Sequence, residues 1–165
     1  MIPEIIGCLN HAMAFMRDQV SDLTGGDLLL QPPGAPNNPA WTLGHTIFSL
    51  QEMAVEIGSE PWLPAEWESR FGYGSRPVPP PGSEPPAASA LLDALADAGA
   101  RLEAALLAAG EASLAAPCPD PETRTTFPTR GAILIQVVVG HTAFHAGQLA
   151  AWRRAAGRAP RGVFV

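Results

Sequence analysis

The chain has 165 residues, 47% of them hydrophobic, and its ten basic residues are all arginine against 16 acidic ones, for a net charge of −6. That length suits a single domain, residues 1–165, able to bury a core without staples, and the acidic balance argues against a nucleic-acid partner. Two cysteines outside any C-x-x-C pattern, Cys8 and Cys118, give no disulfide framework and fit a reducing cytoplasm. The N-terminus has neither a basic region nor a continuous apolar one, and no stretch is expected to reach the length of a membrane span, so no membrane association is expected either.

Taken in chain order, Ile2, Ile5, Leu9, Met13, Met16 and Val20 recur with helical spacing and predict a first helix over residues 2–22, ended by Gly25 and Gly26. His11 falls opposite that stripe, beside Glu4 and Asp18, as a solvated histidine. Asn38 and Pro39 supply an N-cap and a first helical residue for a second helix over 39–57, with Leu43, Ile47, Leu50, Ala54 and Ile57 as its apolar stripe. Trp41, His45, Phe48 and Glu52 share another side of it. Residues 58–83 hold no long element beyond a helical turn near 64–71; a connection of that length allows a crossover to a parallel third helix. Its aromatics, Trp62, Trp67, Phe71 and Tyr73, either pin the crossover down or wall a pocket. Pro85 and Pro86 announce the third helix, 86–109, carried by Leu91, Leu95, Leu102 and Leu106. A Pro-rich linker follows over 110–128, and Thr129 caps a last helix ending at Gly157, with a tail that packs back or frays. The β-branched run 133–139 passes for a strand by itself, but it continues in phase into the last helix. The expected fold is all-α, a four-helix bundle with a long crossover between the second and third helices.

The last helix carries His141 and His145. At about 100° per residue these two, with Gln148 and Trp152, fall on the stripe that also takes Leu134 and Val138. Imidazoles at i and i+4 stand one above the other and can share one metal ion, or they can be core histidines satisfied by hydrogen bonds. His45 adds weight to the metal reading, because a bundle in which the second helix neighbours the fourth could bring it to the pair. Three neutral imidazoles suit Zn²⁺ or Ni²⁺, with Fe²⁺ as a further candidate, and leave a coordination position open. Gln148 either supports a ligand or fills a buried polar gap. Glu52 and Glu56 lie on the His45 side, more readily exposed than catalytic, and Arg153 and Arg154 suit the C-terminal end of the helix dipole. There is no His-Glu-x-x-His, no Glu-x-x-His pair and no phosphate-binding glycine loop.

Ala40-Trp41-Thr42-Leu43-Gly44-His45, together with His141-x3-His145-x-Gly147-Gln148 followed by Trp152-Arg153-Arg154 and Gly157, resembles the DinB/YfiT-like metal-binding four-helix bundles over nearly the whole chain. The resemblance implies that His45, His141 and His145 are the metal ligands of a DinB-like domain. It also implies a low-molecular-weight thiol as cosubstrate, in a thiol-dependent S-transferase or isomerase using bacillithiol, mycothiol or glutathione. A metal-dependent hydrolase using metal-bound hydroxide, and a non-catalytic metal- or ligand-binding stress-response module, are the alternatives. The expected partner is a small-molecule substrate. A homodimer is also expected, from the resemblance and from apolar residues off the main stripes such as Phe15.

Overall fold

The computed structural model describes residues 1–77, 87–159 and 161–162, and the described residues are all-α, with a lone β-bridge between Pro117 and Thr129. The helices are α1 (Ile2–Val20), α2 (Gly25–Leu29), α3 (Pro39–Glu56), α4 (Glu66–Phe71), α5 (Ala88–Ala115), α6 (Pro121–Thr126), α7 (Arg130–Leu134) and α8 (Thr142–Ala155), with a π-helical segment, Ile135–His141, joining the last two. Helix α3 packs on α5 and α8, and α1 packs on the same two helices, so the core fills the space between four long helical runs. Leu9, Met16, Leu43, Ile47, Leu102 and Leu134 are fully buried there.

Local chemistry sets most of the boundaries. Asn38 Oδ1 accepts from Trp41 N at 2.8 Å with Pro39 in the first turn, and the Thr129 hydroxyl accepts from Ala132 N at 3.2 Å, so both predicted caps are in place. Gly25 and Gly26 do not end the first helix. It stops at Val20, and the two glycines open α2, whose N-cap Thr24 exchanges hydrogen bonds with Asp27 in a capping box. Pro85 and Pro86 lie outside the described residues. Helix α5 runs on to Ala115, but Gly110 interrupts it with φ 69°, a left-handed conformation that suits glycine. The expected linker then contains α6, capped by Asp120.

The last helix departs from a uniform α-helix. Along Leu134, Val138 and Thr142 the buried positions advance by four residues per turn, as the wider π turn requires, and in α8 they return to steps of three and four through His145, Leu149 and Trp152. The Thr142 hydroxyl bonds back to Val137 O, five residues earlier. By length and composition alone Arg130–Ala155, 26 residues with a mean hydropathy of 1.2 in its best window, is long and apolar enough to cross a membrane, which corrects the expectation that no stretch reaches that length. Its inward side packs on α1 and α3 of the same chain.

Two further expectations change. Phe15 is buried, against Gly162 of the tail, and does not lie on an open face. Arg153 is 2% exposed and acts as a buried clamp: its guanidinium donates to Gln19 O and to both carboxylate oxygens of Asp22, and its Nε to Ala159 O. The described part of the tail is held back on the helices by Arg158–Asp27 and Arg161–Asp22 pairs.

Candidate metal centre

His45 lies two turns into α3, His141 closes the π segment, and His145 follows in the first turn of α8. The packing of α3 on that helix brings the three together. His45 and His145 are buried and His141 is half-buried. The His141 Nε2 stands 3.1 Å from His45 Nε2 and 3.0 Å from His145 Nε2. Nitrogens sharing one ion at ~2.1 Å are themselves roughly 3.0–3.4 Å apart, so the spacing matches the edge of a coordination polyhedron.

The protons on the far nitrogens test the fit. His45 Nδ1 faces the carbonyl oxygen of Phe71 at 2.6 Å, and a carbonyl only accepts, so the proton sits on Nδ1 and Nε2 presents a lone pair. His145 Nδ1 likewise donates to Gln148 Oε1 at 2.8 Å, and Asn37 Nδ2 donates to that same oxygen at 3.2 Å. Two proton-free nitrogens therefore face His141 Nε2, which can place a proton toward at most one of them. The remaining close contact sets lone pair against lone pair, and a cation at the common point removes that repulsion. His141 Nδ1 is buried and has no hydrogen-bond partner among the described residues.

Burial also keeps the three rings uncharged. Desolvation lowers the His45 pKa despite the opposing pull of the Phe71 carbonyl. Desolvation, reinforced by the neighbouring imidazoles, takes His141 and His145 down to about 4, with Gln148 opposing the shift at His145. Neutral imidazole is the form that binds a metal ion.

The surrounding shell explains residues the sequence left without a role. Trp41 stacks on the His45 ring at 4.6 Å with the planes 10° apart, and its indole N–H donates to Ser75 Oγ. Phe144, 61% exposed, lies edge-on to His145 at 5.4 Å. The Phe71 ring occupies the space beside Gly44 so closely that an added Cβ would sit 2.4 Å from it. A glycine inside a helix costs about 1 kcal/mol relative to alanine, so Gly44 was the legible sign of a close approach, although its neighbour was not. Of the two readings of Gln148, the hydrogen bond to His145 realises the supporting one. Glu52 is exposed and Glu56 pairs with Arg130 at 3.6 Å, and neither belongs to the histidine cluster.

Among the described residues, three imidazoles on two packed helices, with no carboxylate or thiol among them, define a histidine centre suited to a divalent cation. The chain belongs to the DinB superfamily, whose family model matches residues 12–149. Its fold is similar to that of a conserved protein from Enterococcus faecalis in a crystal structure, at 20% identity and a TM-score of 0.74, covering 96% of this chain and 98% of that one. No curated protein matches the sequence.

Proposed function

We propose that the protein is a divalent-metal-dependent enzyme in which His45, His141 and His145 hold the ion, Zn²⁺ or Ni²⁺ in preference to Fe²⁺, and that it acts as a thiol-dependent S-transferase. The observation that carries this reading is the convergence of three Nε2 atoms, two of them stripped of their protons by fixed acceptors on the far side. A divalent ion held by three protein ligands supplies an open position at which a thiol or water loses its proton near neutral pH. The protein's own groups set the conditions for that. Phe71 O and Gln148 fix the tautomers and orientation of two ligands, and Trp41 covers one face of His45. Among the described residues no carboxylate joins the three imidazoles.

The packing of α1, α3, α5 and α8 supports reading the chain as one four-helix bundle with a long crossover between its second and third long helices, α3 and α5. Free Cys8 and Cys118 fit a cytoplasmic setting. A groove of about 300 Å³ between α1 and the last helix, lined by Gly7, Cys8, His11, Ala12, Val139, Ala143 and Ala146, supports a homodimer.

Metal analysis of purified protein is expected to return about one divalent ion per chain, and alanine at any one of the three histidines is expected to abolish tight binding. Turnover screened with and without bacillithiol, mycothiol or glutathione then separates the transferase from a hydrolase, since only the transferase needs the thiol. Affinity without product would mark a binding module. A metal-free protein whose three histidines titrate in the ordinary range would refute the metal reading.

A further inference from the structure

His45 and His145 are held from behind by partners of different kinds. His45 Nδ1 faces a main-chain carbonyl, Phe71 O, which only accepts, so the proton on that ring has one place to go. His145 Nδ1 faces the side-chain amide of Gln148, and an amide carries an acceptor on one arm and a two-proton donor on the other. Turned one way, Gln148 accepts the proton from Nδ1 and leaves Nε2 bare toward the other two rings. Turned the other way, it donates to Nδ1 and drives the proton onto Nε2, the atom that a cation would need. The choice between the two lies with whatever else Gln148 touches.

That partner is Asn37. From the loop before α3 it reaches across to α8 and donates through Nδ2 to Gln148 Oε1 at 3.2 Å, the same oxygen that takes the His145 proton at 2.8 Å. Both amides are half-buried. The backbone that carries Asn37 is pinned beside it: the buried Asn38 caps α3, accepting from Trp41 N at 2.8 Å and donating to Pro77 O at 2.7 Å. The donor is thus fixed to the start of the helix that supplies His45, while its effect falls on a ligand of the other helix. We propose that Asn37 is a positioning residue which, by donating to Gln148, holds that amide with its oxygen toward His145 and so keeps the His145 proton off Nε2. The positioning role rests on the metal reading above, whereas the place of the proton is a property of the metal-free protein.

The test uses the full chain near neutral pH, with the His145 tautomer read from its ring nitrogen chemical shifts in the metal-free protein and Zn²⁺ affinity from competition against a chromophoric chelator. The wild-type protein is expected to carry the proton on Nδ1. Asn37→Ala is expected to give a mixture of tautomers and to weaken Zn²⁺ binding about three- to tenfold, at the low end of what outer partners of a metal-bound histidine contribute. Asn37→Asp has nearly the same shape but can only accept, so Gln148 turns its N–H groups toward both neighbours, the proton moves to Nε2, and affinity falls about 10- to 100-fold. Charge alone predicts the opposite sign, because a new carboxylate near a cation tightens its binding. Gln148→Glu removes the ambiguity at position 148, since a carboxylate only accepts; in that background N37A is expected to change neither tautomer nor affinity, whereas a loop-packing role for Asn37 would persist. A wild-type proton on Nε2, an N37D protein that keeps it on Nδ1, or an N37A loss that survives in Q148E overturns the proposal. A chain whose tautomers follow this pattern but that takes up no Zn²⁺ overturns the metal reading, and the positioning role with it.

Discussion

Gly44→Ala separates the fold from the metal centre. The new methyl group would stand 2.4 Å from two atoms of the Phe71 ring and 2.7 Å from a third, where carbon–carbon contacts settle near 3.5–4.0 Å, so the ring must withdraw by roughly 1 Å. Phe71 is 8% exposed and cannot simply swing into solvent. Overpacking of this kind costs about 1–3 kcal/mol, and the alanine returns about 1 kcal/mol of helix propensity, so the net loss of stability is expected to lie between about 0 and 2 kcal/mol. The centre has no such compensation. Displacing Phe71 moves the carbonyl that holds the His45 proton at 2.6 Å, and loss of an outer partner of a metal-bound histidine typically weakens affinity by about 10- to 100-fold. Urea denaturation of the metal-free protein and competition against a chromophoric chelator measure the two effects separately. A variant that keeps wild-type affinity while its core is measurably strained would show that the Phe71 carbonyl does not position His45.

Gln148→Ala removes the acceptor of the His145 proton and is expected to weaken metal binding by about tenfold with little change in the melting temperature of the apo protein; an unchanged chelator competition would return Gln148 to a space-filling role. Because burial lowers the pKa of all three ligands, that of His141 and His145 to about 4, apparent metal affinity should persist below the ordinary histidine range and drop most steeply as the pH falls through about 4. A decline already beginning near pH 6.5 would mean that the rings are solvated. Arg153→Ala leaves Asp22 and the carbonyls of Gln19 and Ala159, the first of them buried, without their donor and is expected to cost about 1–3 kcal/mol in urea denaturation. The Asp22 pKa is lowered to about 2, first by its hydrogen bond to Arg153, so this pair contributes stability above pH 3.8 that is lost as the pH falls through about 2. Asp22 is a third exposed, which discounts that contribution to roughly 1 kcal/mol, and Asp22→Asn should flatten the acid limb of the stability profile by about that amount.

Much of the fold could be read from local chemistry. The caps at Asn38 and Thr129 and the stripes of α1, α3 and α5 depend on residues a few positions apart, and they appear in the structure as the sequence suggested. The convergence of His45 with His141 and His145 was legible because two helical faces and one packing arrangement were enough to infer it. What escaped depends on the main chain or on distant contacts. No side-chain pattern announces that the carbonyl of Phe71, 26 residues on at the end of α4, accepts from His45 Nδ1, or that Asn37 supports Gln148. In the sequence Arg153, like Arg154, is a cation suited to the C-terminal end of the helix dipole, and only the distant Asp22 and Gln19 reveal the clamp. The Gly25-Gly26 pair misled because glycine serves at either end of a helix, and Thr24 with Asp27 three residues on was the better local signal.

The widened turn over Ile135–His141 bears on any attempt to transplant this centre. On an ideal α-helical scaffold Leu134, Val138, His141 and His145 would share one stripe, whereas the wider turn leaves His141 half-buried and gives the inward position after Val138 to Thr142. A designer borrowing the histidine pair would therefore need to carry the whole stretch from Arg130 onward, or rebuild the apolar positions upstream to follow the new phase.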